Sequence, residues 1–394
     1  MHPSEELRGS KGSDLDGKKI VLGVTGSIAA VETIKLVREL VREGADVICV
    51  MSEWGRKIVH PNALEFASGN EVISELTGKV EHVSHCGNVP DKADLFLVCP
   101  ATANTISKMA KGIDDTPVTT FATTCVGSEI PIMVVPAMHQ TMYDHKIIMD
   151  NLRELQEKLN VTVIGPRIEE GAAKVAYNQQ VIDSVIRELR ADLKGEDILV
   201  ITGKTLEPID SMRVITNRAT GKSGIELAKK AYRRGANVEL WYGSVEDKVP
   251  SWIPNRKFET MSDLFDLVDK VGDKDVVLVP AALSDFAPIE KSDEKISSSE
   301  SYTLELDPIP KFIDKINEDV ELLVAYKAED SRDEAKKAAH KMVKDDRADM
   351  VVANSLEDVG REENRVYITG EDEWFSGTKR EIAEIILDSL MREL

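Results

Sequence analysis

Residues 20–30 read Ile20-Val21-Leu22-Gly23-Val24-Thr25-Gly26-Ser27-Ile28-Ala29-Ala30. The first five form an apolar, β-branched run of strand length, and Thr25-Gly26-Ser27 breaks it. From Ile28 to Val41 apolar residues recur at helical spacing, with Lys35, Arg38 and Glu39 on the other face. A strand that passes through a glycine turn into an amphipathic helix opens a βαβ unit. Working outward, strands are expected at Val47–Met51, Asp94–Cys99, Ile132–Val135 and Val161–Ile164, with a helix at Leu152–Leu159. Strands separated by helices imply a parallel sheet covered on both faces.

The rhythm breaks over residues 165–194 and then restarts. Strands are expected at Asp197–Thr202, Asn237–Trp241, Val276–Pro280, Glu321–Ala325, Met350–Ala353 and Arg365–Thr369. Helices are expected at Gly221–Arg234, Leu264–Val271, Ser331–Lys344 and Lys379–Leu390. The fold class is therefore α/β, with two doubly wound parallel-sheet domains. Residues 1–17 read as a flexible tail, 18–190 as the first domain and 191–394 as the second.

The composition narrows the function. An apolar fraction of 42% in 394 residues is enough for real cores. Lys and Arg number 50 and Asp and Glu 70, a net charge of −20. Such a surface repels phosphate backbones and anionic lipids, so neither nucleic acid nor membrane is expected as a partner, while local basic pockets for small phosphorylated ligands remain open. No stretch has the ~18 uncharged apolar residues of a membrane span. The polar first residues lack a signal core, and four scattered cysteines make no disulfide framework, which points to the cytoplasm.

Several loops follow strands, where α/β sheets bind ligands. Gly26 and Ser27 offer a tight turn, free N–H groups and a hydroxyl suited to phosphate, or simply a helix cap. This is not the G-x-G-x-x-G fingerprint of a dinucleotide site. Pro100-Ala101-Thr102-Ala103-Asn104-Thr105 and Pro136-Ala137-Met138-His139-Gln140-Thr141-Met142-Tyr143 follow two further strands. His82, His85 and Cys86 lack the second ligand pair of a tetrahedral metal site, but His85 precedes a strand and titrates near neutrality, as an acid or base should. In the second half, Thr202-Gly203-Lys204-Thr205-Leu206-Glu207-Pro208-Ile209-Asp210 follows a strand. Arg213, Arg218 and Lys222, with Asn217 and Gly221, form a cationic run like an anion or nucleotide cradle. Asp285, in Ala281-Ala282-Leu283-Ser284-Asp285-Phe286, is a candidate magnesium ligand.

Taken in order, TGSIAA, PATANTI, PAMHQTMY, TGKTLEPIDSMRVITNRATGKSG and AALSDF closely resemble the bifunctional coenzyme A biosynthesis family over about residues 18–392. The resemblance implies an N-terminal flavodoxin-like, FMN-dependent phosphopantothenoylcysteine decarboxylase and a C-terminal Rossmann-like phosphopantothenate–cysteine ligase using CTP and Mg2+. It implies FMN contacts at Gly26, Ser27, Ile28, Ser52, Thr102 and Asn104, with His85 as the decarboxylase histidine. It assigns Asn217 to the activated acyl intermediate and Asp285 to nucleotide and metal. Lys295 matches the first lysine of a K-x-K element. The nucleotide set is then Gly203, Arg213, Arg218, Gly221, Lys222, Asp285, Lys295, Tyr326, Lys341 and Lys344. The family also implies a homo-oligomer, a dodecamer of decarboxylase trimers joined by ligase dimers.

Four departures from the family pattern resemble its archaeal-type branch. His139 stands where the family carries Asn, making it a candidate catalytic residue. Residues 165–174 lack the flap cysteine. Ser297 replaces the second lysine of K-x-K, and Lys341, Lys344 and Arg347 stand in for lysines ahead of the Met350 strand. With Cys49, Cys99 and Cys125 on apolar elements and Cys86 expected to alternate away from His85 on an extended segment, His139 or the Glu169-Glu170 pair is left as proton donor. Two other readings stay open on sequence: a ligase with a decayed flavin domain, and a flavin-binding regulatory protein.

Overall fold

The computed structural model describes residues 2–169, 172–272, 274–297, 301–316, 320–358 and 364–393. The chain divides into two compact units, Met1–Arg190 and Ala191–Leu394. In the first unit, five parallel strands form one sheet: β1 (Lys19–Val24), β2 (Asp46–Met51), β3 (Leu95–Ala101), β4 (Ile132–Pro136) and β5 (Thr162–Val163), in the order β2-β1-β3-β4-β5. That is the flavodoxin-like order, whose ligand crevice lies where the order reverses, between β1 and β3. Both faces are buried. Leu22, Leu36 and Leu40 pack on one side with Val181 and Val185, and Phe96, Val118, Phe121 and Leu155 pack on the other.

In the second unit the main sheet contains β6 (Asp197–Thr202), β7 (Asn237–Tyr242), β8 (Asn255–Lys257), β9 (Val276–Val279), β10 (Leu322–Glu329), β11 (Met350–Ser355), β12 (Asn364–Ile368) and β13 (Glu373–Gly377). Its order is β8-β7-β6-β9-β10-β11-β12-β13. The first six strands are parallel in the Rossmann order, with the reversal between β6 and β9. β12 and β13 add an antiparallel hairpin at the β11 edge.

Three expectations are corrected. Residues 1–17 are not a loose tail. Pro3–Leu7 is helical, Leu15 is fully buried among Leu36, Leu40 and Val41, and Arg8 Nη1 donates to Ala45 O at 2.7 Å. Leu15, with partly buried Leu7, anchors this polar segment, and two such contacts set no period to read. Leu264–Val271 breaks after a short helix, Met261–Phe265, into a 3-10 turn, Val268–Lys270. His85 and Cys86 lie on a helix, Glu81–Cys86, rather than on an extended segment. Cys86 still turns away from His85, because successive helical residues are ~100° apart. It is buried beside Cys125.

Candidate functional site

At the β1/β3 reversal, the loops following the two strands are tied together. Thr25, itself buried, donates from Oγ1 to Pro100 O at 2.6 Å and accepts from Thr102 N at 3.1 Å. Each expected hydroxyl caps a helical start. Ser27 accepts from Ala29 N at 3.4 Å, Ser52 from Gly55 N at 3.1 Å and Thr102 from Thr105 N at 3.3 Å. Gly26 is required by close approach, since a Cβ there would lie 2.4 Å from Trp54 Cβ. Beside it Ile28 and Trp54 are large apolar side chains left 78% and 66% exposed, and Asn104 is exposed. The result is a rim of backbone turns and hydroxyls next to exposed Ile28 and to a Trp54 ring over which Lys57 Nζ lies 4.1 Å from the centroid.

His139 borders the same sheet edge. It is exposed, caps the turn Gln140–Tyr143, and its Nδ1 lies 3.0 Å from Thr141 Oγ1. Met138–His139 pairs antiparallel with Ala172–Lys174, which pairs with Arg167–Glu169, so the flap hairpin is laced to the His139 strand. Glu169 accepts from Tyr177 OH at 2.8 Å and from Arg167 Nη1 at 3.3 Å, and pairs with Lys174 at 3.6 Å. The Tyr177 hydroxyl, with the two cations, holds its carboxyl below the usual range. Glu170 and Gly171 lie outside the described residues.

His85 is not in this crevice within its own unit. Its backbone O accepts from Ala93 N at 2.8 Å, and its ring is half-buried among the charges of Lys19, Asp91 and Asp46. Lys19 and Asp46 begin β1 and β2, at the amino end of the sheet. The length of β1, about 17 Å at ~3.3 Å per residue, separates that end from Thr25. Burial pushes the imidazole below its ordinary value and Lys19 adds to this, against Asp91, Asp46 and Glu81. Burial alone pushes the Cys49 and Cys99 thiols up to about 12, so neither is a ready acid.

In the second unit the loops after β6 and β9 meet at the reversal. Lys204 bridges to Ala282 and Ser244, and Thr205 Oγ1 lies 2.7 Å from Ser284 Oγ. Gly221 has φ +75°, and a Cβ there would meet Val245 at 2.5 Å and Gly203 Cα at 3.2 Å, so two glycines let these turns touch. Asn217 Nδ2 donates to Ala282 O at 3.0 Å and Leu283 O at 3.2 Å. Arg213 Nη1 donates to Ile296 O at 3.1 Å, which brings the Lys295 segment to the same edge. Asp285 is exposed and ion-paired with Lys311, a residue the sequence reading missed because it lies 26 positions away. Lys222 pairs with Asp247 at 3.8 Å, whereas Arg218 and Lys295 make no ion pair among the described residues.

Two expected nucleotide residues stand apart. Lys341 and Lys344 sit in the last turn of the helix Arg332–Lys344. That helix starts after the carboxyl end of β10 and returns toward the amino end of β11, so its thirteen residues, ~1.5 Å each, carry both lysines away from the cradle. Arg347, their neighbour, is held by Asp314 at 2.8 and 2.9 Å. Tyr326 follows Ala325, the register partner of Val279, and so lies at the carboxyl end of β9 and β10; it packs partly buried against the apolar core, and burial raises its hydroxyl. Among the described residues no group of three or more His, Cys, Asp or Glu side chains converges to hold a metal, and no helix is long and apolar enough to cross a membrane.

Residues 8–190 match the family model described as Flavoprotein, and residues 193–394 match the DNA/pantothenate metabolism flavoprotein C-terminal domain. These matches, with the fold, define a two-unit α/β flavoprotein of pantothenate metabolism. Over its full length the chain is 47% identical to the coenzyme A biosynthesis bifunctional protein CoaBC of Thermococcus kodakarensis, covering 100% of both chains. It is 37% identical to the protein of the same description from Methanocaldococcus jannaschii, covering 100% of this chain and 98% of that one. A solved C-terminal domain of a coenzyme A biosynthesis bifunctional protein CoaBC is 27% identical, covers 52% of this chain and 97% of its own, and has a TM-score of 0.44. The chain belongs to the bifunctional coenzyme A biosynthesis family and is a bifunctional enzyme of that synthesis.

Proposed function

We propose that the second unit joins 4′-phosphopantothenate to cysteine at the expense of CTP, and that the first unit decarboxylates the 4′-phosphopantothenoylcysteine so formed to 4′-phosphopantetheine. The observation that carries this reading is that each unit gathers its motif loops at its own strand-order reversal, where open α/β sheets take ligands.

For the first unit, FMN is supported by the capped helix starts at Ser27, Ser52 and Thr102, which suit a phosphate, and by exposed Ile28 and Trp54, which suit a flat ring. Bound flavin would oxidise the substrate thiol to a thioaldehyde, which gives the β-carboxylate an electron sink, and would later return the hydride. Gly26, Ser27, Ile28, Ser52, Thr102 and Asn104 bind and orient; His139 holds a proton at the rim. His85 serves this chemistry from a second copy of the chain, because within its own unit it lies the length of β1 away. We therefore infer a homo-oligomer, with the dodecamer as its full form. Four free, buried cysteines accord with a reducing compartment, and we place the enzyme in the cytoplasm.

For the second unit, a carboxylate is inert toward an amine, so 4′-phosphopantothenate first attacks the α-phosphorus of CTP and pyrophosphate leaves. The cysteine amine then displaces CMP from the acyl nucleotide. Arg213, Arg218, Lys222 and Lys295 offset the phosphate charge, Gly203 and Gly221 admit the chain of phosphates closely, and Asn217 contacts the acyl nucleotide. A single carboxylate, Asp285, does not make a resident metal site, so Mg2+ arrives with the nucleotide, bound chiefly by phosphate oxygens.

Mixing two dead variants tests the shared decarboxylase site. His85→Asn and Gly26→Asp chains, exchanged by mild dissociation and reassembly, should recover activity that neither has alone. Failure to recover any, despite verified mixing, would confine the site to one chain.

A further inference from the structure

Asp210 has a fully buried side chain in a segment whose following residues, 211–214, are exposed. Its two oxygens act on different parts of the molecule. Oδ1 accepts from Met212 N at 2.8 Å and Arg213 N at 2.7 Å, closing its own turn. Oδ2 accepts from Arg213 Nη1 at 2.6 Å and from Ile296 N at 3.0 Å, 86 residues along the chain. Arg213 Nη1 also donates to Ile296 O at 3.1 Å, so guanidinium, carboxylate and one peptide unit form a closed knot.

An aspartate that merely closes a turn needs only one oxygen. Burying a carboxylate is costly unless its lone pairs are filled, and here they are filled by groups from two separate loops. Those loops carry the cations of the cradle. Arg213 lies four positions before Asn217, and Ile296 follows Lys295. With Nη1 committed to the knot, Arg213 Nε and Nη2 make no hydrogen bond among the described residues, leaving one edge of the planar fork open toward an oxyanion.

We propose that Asp210 is a positioning residue of the ligase half: through Oδ2 it locks the Arg213 guanidinium to the Lys295 segment, so that both cations meet the phosphate or carboxylate oxygens of the reactants as one preset pair. The proposal rests on the ligase reading above. Asp210 touches no reactant; it acts through Arg213 and Ile296.

Asp210→Asn is the discriminating variant. Its amide oxygen, placed at Oδ1, keeps the turn, while its NH2 group then faces Arg213 Nη1 and Ile296 N, donor against donor. The ligation kcat/KM should fall on the order of 10²-fold, the scale of a misplaced charged group. The rise should fall on KM for the nucleotide and 4′-phosphopantothenate, while KM for cysteine and the decarboxylation rate hold. In an Arg213→Met background the same change should cost no more than about threefold, because the partner through which it acts is gone. Arg213→Met alone, which leaves the Oδ1 turn intact, should show the same KM signature, together with a lowered melting temperature from the buried carboxylate it leaves half-paired. This variant decides the matter should Asp210→Asn not fold. Additive losses in the double variant, or unchanged KM values in Arg213→Met, would overturn the proposal. A wild-type protein that forms no amide from 4′-phosphopantothenate, cysteine and CTP would instead strike the ligase reading itself.

Discussion

Thr25 Oγ1 donates to Pro100 O at 2.6 Å, and this bond fastens the turn after β1 to the turn after β3. The same oxygen accepts from Thr102 N. Thr25→Val keeps the shape but strands a buried carbonyl and weakens the anchorage of Thr102. We expect about 1–3 kcal/mol of lost stability, the usual cost of unsatisfied buried groups, together with weaker flavin retention. Thermal melts and the flavin absorbance of dialysed protein check both. Wild-type melting and full retention of flavin would mean that the tie does not shape the crevice.

His85 should titrate below an ordinary histidine, chiefly because it is buried and secondly because Lys19 faces it. The sign follows from linkage. Folding favours the neutral ring, so the fold loses stability as pH drops below the unfolded value, and the loss is complete below the folded one. If the neutral form is the active one, the acid limb of decarboxylation lies lower than an unperturbed imidazole would give. Lys19→Met removes a charge that lowers the value and should move the His85 NMR titration, and the acid limb with it, to higher pH. A downward shift would contradict this. His85→Asn should keep flavin and ligation while decarboxylation falls by ~10²-fold or more.

The proton donor follows from the flap's hydrogen bonds. Glu169 is held ionised by Tyr177, Arg167 and Lys174, which makes it a poor acid. Cys86 is buried against Cys125. His139 is exposed at the rim with no such restraint on its ring beyond Thr141. We expect His139→Asn to slow flavin reoxidation in stopped-flow absorbance and to release oxidised enethiol product. Glu169→Gln and Cys86→Ser should leave the reoxidation rate close to wild type. A stalled phase in Cys86→Ser alone would hand the role to the neighbouring cysteine.

Much of this architecture is legible in the chain. The alternation beginning at Ile20–Val24 and restarting at Asp197–Thr202 encodes two wound sheets, because fully buried parallel strands read as continuous apolar runs. What escaped is set by single contacts rather than by period. Leu15 and Leu7 anchor a polar segment without a period, and β12 and β13 form a hairpin whose direction no apolar pattern declares. The site is legible in its loops and less so in its partners. Asn217 reaches the loop after β9, Gly221 touches the turn after β6, and Arg213 reaches the Lys295 segment. Lys311 on Asp285 and Asp210 on Ile296 come from sequence separations that only the folded sheet closes. Lys341 and Lys344 went the other way: their chemistry suited the cradle, but helix direction carries them to the opposite end of the sheet.

Asn217 donates to Ala282 O and Leu283 O, so Asn217→Asp sets a carboxylate against two carbonyls. We expect the acyl nucleotide still to form but to accumulate, since handling of the intermediate is disturbed. Lys295→Gln, removing an unpaired cation, should slow overall ligation on the order of 10²–10³-fold. Mass spectrometry of quenched reactions checks both. Absence of any acyl nucleotide in every variant would sink the two-step scheme.

The central claim is that one chain carries both reactions in sequence. Purified protein, reconstituted with FMN and given 4′-phosphopantothenate, cysteine, CTP and Mg2+, is followed by mass spectrometry for carbon-labelled cysteine. The account predicts 4′-phosphopantetheine, with one pyrophosphate, one CMP and one labelled CO2 released from the cysteine carboxyl for each molecule formed. Accumulation of 4′-phosphopantothenoylcysteine without CO2, on a protein that holds its flavin, would contradict it.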